Sequence, residues 1–144
     1  QLNLHDCTGC EACSESGQCV YDSTDDGQRI RNLIRGADRL IMVSPIYFYH
    51  LPSSLKRMID RSQPAFHAKK NSRSTSSGRG VCILYGESEG VRLFEGSLLT
   101  FRYFLDAYRI SPYGDFLLRG IRSYPDMTCH VDALCDWLRR QIGE

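Results

Sequence analysis

The chain has almost no net charge: 18 Lys and Arg stand against 17 Asp and Glu, leaving +1 at neutral pH. A protein that holds nucleic acid by electrostatics alone carries a clear basic excess, so that class is set aside. No apolar run approaches the roughly 20 residues that cross a bilayer. Nothing resembling a secretory leader stands ahead of the first motif, although the chain starts on Gln1 rather than Met. No internal repeat and no long linker divide it. At 144 residues and 42% hydrophobic, residues 1–144 suit one globular domain with a proper core. The expectation is a reduced, cytoplasmic protein.

Cysteine, by contrast, is plentiful: seven in all, four of them in the run Cys7-Thr8-Gly9-Cys10-Glu11-Ala12-Cys13-Ser14-Glu15-Ser16-Gly17-Gln18-Cys19. The spacing C-x2-C-x2-C-x5-C lets three thiols converge on one cuboidal iron–sulfur cluster as the backbone curls round the inorganic core. Cys19 is near enough to be a local fourth ligand. Gly9 and Gly17 suit a tightly curled loop, which needs residues that tolerate positive φ. Other readings stay open. Structural zinc usually takes two cysteine or histidine pairs with a longer spacer between them. Disulfides would leave one thiol over, and the thiols can also be free.

Leu2-Asn3-Leu4-His5 alternates like the end of a strand feeding the cysteine loop. Ser23, Asp25 or Asp26 then offers a cap to a helix whose apolar stripe is Ile30, Leu33, Ile34 and Ala37. The run Leu40-Ile41-Met42-Val43 reads as a strand buried on both faces, as in a parallel sheet. Pro52 opens a helix that buries Leu55, Met58 and Ile59. Lys69 to Gly80 is polar, basic and Ser/Gly-rich, and a mobile loop is expected within 67–80. Val81-Cys82-Ile83-Leu84-Tyr85 is a second buried strand. A long helix follows from Leu93 to Tyr108, with Leu98, Phe101, Leu105 and Tyr108 on one face. Tyr113 to Leu118 suits a last strand, and Val131 to Ile142 a terminal helix burying Leu134, Leu138 and Ile142. Strands alternating with helices imply crossover units.

In an open α/β sheet, ligands bind outside the carboxyl ends of the strands. Ser44 to Tyr49 occupies such an end. Pro45 stiffens the turn, the loop's peptide groups can read the edge of a flat heteroaromatic ring, and Tyr47, Phe48 and Tyr49 can wall it in. Alternatively, these aromatics simply pack under the loop. Gly86-Glu87-Ser88-Glu89-Gly90 forms a second loop on the same rim.

Ser44-Pro45-Ile46-Tyr47-Phe48, followed by Leu55-Lys56-Arg57-Met58-Ile59-Asp60-Arg61, resembles the flavodoxin-like NADPH-dependent FMN reductase family. Together with the cysteine run ahead of an acidic helix start, it resembles the iron–sulfur flavoprotein branch. The likeness runs from Leu2 to about Gly90 and continues more loosely beyond. It implies a three-layer α/β flavodoxin-like parallel sheet, with FMN and a 4Fe–4S cluster as cofactors. Cys7, Cys10, Cys13 and Cys19 would ligate iron. Ser44, Pro45, Ile46, Tyr47 and Phe48, with Gly86 and Glu87, would frame the isoalloxazine. The implied activity is electron transfer between FMN and the cluster. The implied partners are a redox protein such as ferredoxin, or NAD(P)H, and further copies in a homo-oligomer.

Against the family pattern this sequence begins at about the second strand, and the Ser/Thr- and Gly-rich phosphate loop after the first strand is missing. In the flavodoxin order 2-1-3-4-5 that strand lies between the second and third. Two strands would then face a gap with unpaired backbone groups. The expectation is that the first strand and phosphate loop come from outside these residues: the rest of a longer chain, a partner chain or a swapped segment. A degenerate domain that never binds FMN is the alternative. Two rival functions remain, an NAD(P)H-dependent FMN or quinone reductase without a cluster, and a non-catalytic redox-complex subunit with a decayed flavin site.

Elsewhere, Cys82 and Cys135 are expected in the core, Cys129 as a surface thiol and Trp137 as core. His5 reads as a solvated strand end and His50 as a candidate rim residue. Lys56, Arg57 and Arg61 are expected in solvent, with Asp60 and Arg61 orienting the loop.

Overall fold

A computed structural model describes residues 2–70 and 78–142. The elements run α1 (Ala12–Ser16), α2 (Gly27–Arg35), β1 (Arg39–Pro45), α3 (Ser53–Asp60), α4 (Gln63–Lys70), β2 (Arg79–Tyr85), α5 (Glu95–Ala107), β3 (Ser111–Leu118), α6 (Tyr124–Thr128) and α7 (Val131–Ile142). The three strands form one parallel sheet in the order β1-β2-β3. Each crossover carries helix, as parallel neighbours require. Helices cover both faces, so the expected three-layer α/β architecture is present.

Which helix covers which face follows from register. Met42, Cys82 and Asp115 are paired neighbours on one face, and Gly80 lies two residues before Cys82 on that same side. A Cβ at Gly80 would meet Leu105 of α5 at 2.6 Å, so α5 packs directly on the backbone there. Ile30, Ile34, Ala65, Phe101 and Leu105, from α2, α4 and α5, join Met42, Cys82 and Leu84 in one buried cluster. On the other face Ile41, Val81 and Gly114 pair, and Trp137 of α7 lies 3.1 Å from where a Cβ of Gly114 would stand. The central strand β2 is apolar on both faces because both are covered. Cys82 and Leu84 have no exposed surface.

Strand β1 departs from the expectation of two buried faces. Among the described residues it pairs only with β2, and Ile41 and Val43 are exposed while Met42 and Ser44 are buried. The expected N-terminal strand end, Leu2 to His5, is not a strand. Its backbone bonds to side chains instead: Asn3 N donates to Asp26, His5 N to Asp25, and the carbonyls of Leu4 and His5 accept from Arg57 and Arg61. A segment without a neighbouring strand has found other partners for its polar groups.

The expected mobile loop is regular at both ends, since Lys69 and Lys70 finish α4 while Arg79 and Gly80 begin β2; residues 71–77 lie outside the described residues. Leu33 is exposed, as is Cys135 on α7, contrary to expectation, because α7 turns that position away from β3. Cys82 is buried as expected, and Trp137 packs on Phe116. Leu134 and Leu138 are half-buried, and the Ile142 side chain lies outside the described residues.

Candidate functional site

The cysteine segment turns three times through the left-handed region, at Gly9 (φ 67°), Glu11 (φ 59°) and Gly17 (φ 72°), with the single turn of α1 between the last two. Gly17 ends α1 by donating to the Cys13 carbonyl at 3.1 Å. This curl brings Cys7, Cys10, Cys13 and Cys19, all free thiols, onto one cavity of about 460 Å³. Tyr21, Asp60, Arg61, Gln63, Pro64 and His67 line it as well. Burial pushes the Cys13 thiol up, and the charges of Cys19, Cys7 and Cys10 push it further, so the four sulfurs act on one another. Among the described residues, no three His, Cys, Asp or Glu side chains stand ready to hold a metal ion as they are. Binding metal deprotonates thiols and gathers them at the same time, so a thiol-state loop and a loaded loop need not share one geometry.

Behind the cavity lies a charged network. The Asp25 side chain is fully buried and that of Arg61 is 2% exposed. Arg61 Nη1 donates to Asp25 at 2.6 Å and to the His5 carbonyl at 2.8 Å, while Nη2 donates to Asp25 at 3.1 Å. Burial opposes ionisation of Asp25. The Arg61 hydrogen bond and the amides of His5 and Gly27 outweigh it, holding the carboxyl far below the usual range. The Tyr21 ring lies over the Arg61 guanidinium at 5.2 Å, and His5 stacks on Tyr21 at 4.6 Å. Beside them, buried Arg31 bonds both oxygens of Asp22, which in turn accepts from Cys19 N at 3.0 Å. Arg61, expected in solvent, is therefore among the most buried side chains of the molecule. Arg57 reaches Asp6 and is half-exposed.

The second feature sits at the carboxyl ends of the strands. Tyr47 and His50 exchange backbone hydrogen bonds of 2.9 and 3.0 Å around the two-residue turn Phe48-Tyr49. Both central residues have positive φ, 50° and 60°. Turns with two positive φ values favour Asn-Gly, and bulky aromatics there are strained. Phe48 is nonetheless fully exposed. With Ile46, Tyr49, Glu87, Ser88, Leu93 and Arg122 it lines a cavity of about 520 Å³. Gly86 is buried beneath this cavity, where a Cβ would meet Leu93 at 3.1 Å. Glu87 is exposed and 3.6 Å from Arg122.

The family model for NADPH-dependent FMN reductases matches residues 1–113. The chain belongs to that family. Within it the curated relatives are iron–sulfur flavoproteins: one from Archaeoglobus fulgidus is 36% identical over 81 residues, covering 55% of this chain and 34% of the relative. Another, from Methanocaldococcus jannaschii, is 39% identical over 61 residues, 42% of this chain and 31% of that protein. The chain thus spans about a third of the length of the curated relatives it matches. Among solved structures, the Trp repressor binding protein from Bacillus subtilis superposes with a TM-score of 0.62 over 96% of this chain and 79% of its own, at 21% identity. General stress protein 14 from Treponema denticola, solved in complex with FMN, gives 0.52 over 85% of this chain and 77% of its own, at 18% identity. These structures share the fold.

As a member of the FMN reductase family, the chain presents two sites with different fits. The donor set of the cysteine cavity suits a thiolate-bound centre: four free thiols line one cavity together with Arg61, a buried guanidinium whose Nε has no hydrogen-bond partner. At the rim, the strained and exposed aromatic turn above an apolar floor suits a flat ring. Of the residues assigned to the flavin, Ile46, Phe48 and Glu87 line the rim cavity. Tyr47 is exposed beside it, Pro45 is half-buried, and Ser44 is buried with its hydroxyl donating to the Pro45 carbonyl. His50 turns to α5, its Nε2 lying 3.2 Å from Thr100. Sequence reasoning missed Leu93 and Arg122 at the rim, and Tyr21 and His67 at the cysteines. No motif marks any of them, since only the fold brings them there.

Proposed function

We propose that the chain belongs to an electron-transfer flavoprotein in which FMN at the strand ends works with a 4Fe–4S cluster held by Cys7, Cys10, Cys13 and Cys19. The observation that carries this is that all four cysteines, each a free thiol, line one cavity backed by the buried Arg61. The names of the curated relatives support it. Bound in these sites, FMN would exchange electrons in pairs with a soluble donor or acceptor, and the cluster would carry them singly.

The residues' own part is positional. Phe48 and Tyr49 supply aromatic faces for an isoalloxazine, Ile46 and Leu93 an apolar floor, and Gly86 the room beneath for Leu93 to pack. The left-handed residues Gly9, Glu11 and Gly17 hold the cysteine loop curled. No general acid or base is needed. The expected partners are a redox protein such as ferredoxin, or NAD(P)H, and other copies in a homo-oligomer.

The test is anaerobic purification and reconstitution with iron and sulfide, followed by iron, sulfide and flavin analysis and visible spectra before and after reduction. A brown protein with about four irons per chain, bleaching on reduction, is expected. A colourless product, or one holding zinc in the same thiols, overturns the cluster. A second reading is an NAD(P)H-dependent FMN or quinone reductase without a cluster, FMN reduction being the activity that the matching family is described by. That reading predicts NAD(P)H oxidation unaffected by replacing all four cysteines with serine.

A further inference from the structure

We infer that Arg61 is a positioning residue for the Cys19 ligand: its Nε–H is the donor held in reserve for the Cys19 thiolate, making Cys19 the member of the cysteine group that the fold sets in advance. The inference rests on the cluster reading above.

Two of the three guanidinium nitrogens are committed. Nη1 and Nη2 grip the two oxygens of Asp25, and Nη1 also serves the His5 carbonyl. Asp25 is itself fixed by the amides of His5 and Gly27, at 2.9 and 2.8 Å, so the plane of the Arg61 fork is fixed with it. Tyr21 covers one face of that plane. What remains is Nε, buried and without an acceptor. Buried N–H groups are rarely left so, because an unmet donor has lost its water and gained nothing. Arg61 lines the same cavity as the four cysteines, so a thiolate is the class of acceptor the site offers.

Cys19 is the sulfur that fits. Arg61 Nη2 lies 4.0 Å from the Asp22 carboxylate, and that carboxylate accepts from Cys19 N at 3.0 Å. Asp22 is itself held by Arg31 in a buried bidentate pair, so the backbone of Cys19 is anchored beside Arg61. Cys7 and Cys10 are exposed, and Cys13 sits on the short α1. The loop therefore has one fixed end and one adaptable end, and iron would gather Cys7, Cys10 and Cys13 towards Cys19. A hydrogen bond from Nε to the ligand sulfur would orient it and raise the potential of the bound centre, as donors to cluster sulfurs do.

The experiment compares the unsubstituted protein, Arg61→Lys and Arg57→Gln after anaerobic reconstitution with iron and sulfide. Lysine keeps the charge but loses the planar fork and its Nε–H. The expected result is that Arg61→Lys releases iron to a bathophenanthroline chelator at least tenfold faster and has a lower reduction potential, while Arg57→Gln matches the parent. Equal release and equal potential in Arg61→Lys overturn the inference while the cluster reading stands. Failure of the unsubstituted protein to take up iron overturns both. Should Arg61→Lys not fold, protein labelled with 15N-arginine decides: pulsed electron paramagnetic resonance of the reduced sample shows a 15N coupling if Nε meets the ligand sulfur, and its absence overturns the inference.

Discussion

A carboxylate with no exposed surface, Asp25, ties the cysteine segment to α3 through Arg61, 36 residues further along the chain. Replacing it with Asn would leave the Arg61 charge buried and uncompensated, which costs about 3–5 kcal/mol. The same pair makes stability depend on pH. Because the folded pKa of Asp25 lies well below its unfolded value of about 3.9, its contribution is complete above that value and is lost as pH falls towards the folded pKa. Urea midpoints should therefore drop between about pH 5 and pH 2, and Asp25→Asn should flatten that portion of the curve. Cys82 offers a second residue-scale check. Burial, aided by the hydrogen bond to Asp115 at 3.1 Å, pushes its thiol far above the usual range, so it stays protonated and unreactive. Mass spectrometry after native alkylation should find Cys129 and Cys135 modified and Cys82 untouched until the chain unfolds. Cys82 was recognisable because its strand is apolar throughout. Arg61 was not: at the end of an amphipathic helix an arginine looks solvated, and only Asp25, remote in sequence, makes its burial tolerable.

At the scale of single elements, the turn Phe48-Tyr49 gives up stability for the exposed aromatic face proposed to meet a flavin. An L-residue in the left-handed region costs about 1–2 kcal/mol, and here two large aromatics occupy it in succession. Phe48→Asn with Tyr49→Gly supplies the residues such a turn favours and should raise stability by about 1–2 kcal/mol. Flavin affinity should fall at least tenfold, as read by fluorescence titration. An unchanged affinity would mean the ring binds elsewhere. The turn's position at a strand end could be read from Ser44-Pro45-Ile46-Tyr47-Phe48, but its strain could not, since nothing local demands positive φ from Phe-Tyr. Strands divide in the same way. The run Val81 to Tyr85 announced the central strand correctly, and Leu40 to Val43 also became a strand, but with Ile41 and Val43 exposed, because burial of a face depends on what covers it. Amide exchange should follow: β2, paired on both sides and buried on both faces, should be protected nearly to the limit of global unfolding, and β1 measurably less.

Across the whole molecule, the two candidate sites share no lining residue, and only the cysteine cavity touches α3, through Asp60. Ser53 starts the helix after the strand-end loop, and Asp60 ends it at the cysteine wall. Eight residues rising 1.5 Å each put about 12 Å between the two ends. The sequence marked the cysteines and the strand end but not that they line separate cavities, because only the fold assembles each lining. Charge divides the molecule as well. The cysteine cavity is backed by buried arginines, whereas the rim carries Glu87 and Glu89 against Arg122, and Arg122 already faces Glu87. A doubly charged phosphate gains little beside two carboxylates, so a flavin nucleotide bound here, as proposed, would be held by its ring and not by its phosphate. It follows that riboflavin and FMN should bind residues 1–144 with affinities within about tenfold of each other, since 1.4 kcal/mol of phosphate contact would already exceed that ratio. Parallel fluorescence titrations give the answer: FMN binding a hundredfold tighter than riboflavin would require a phosphate cradle within this chain, and would overturn this account of the rim.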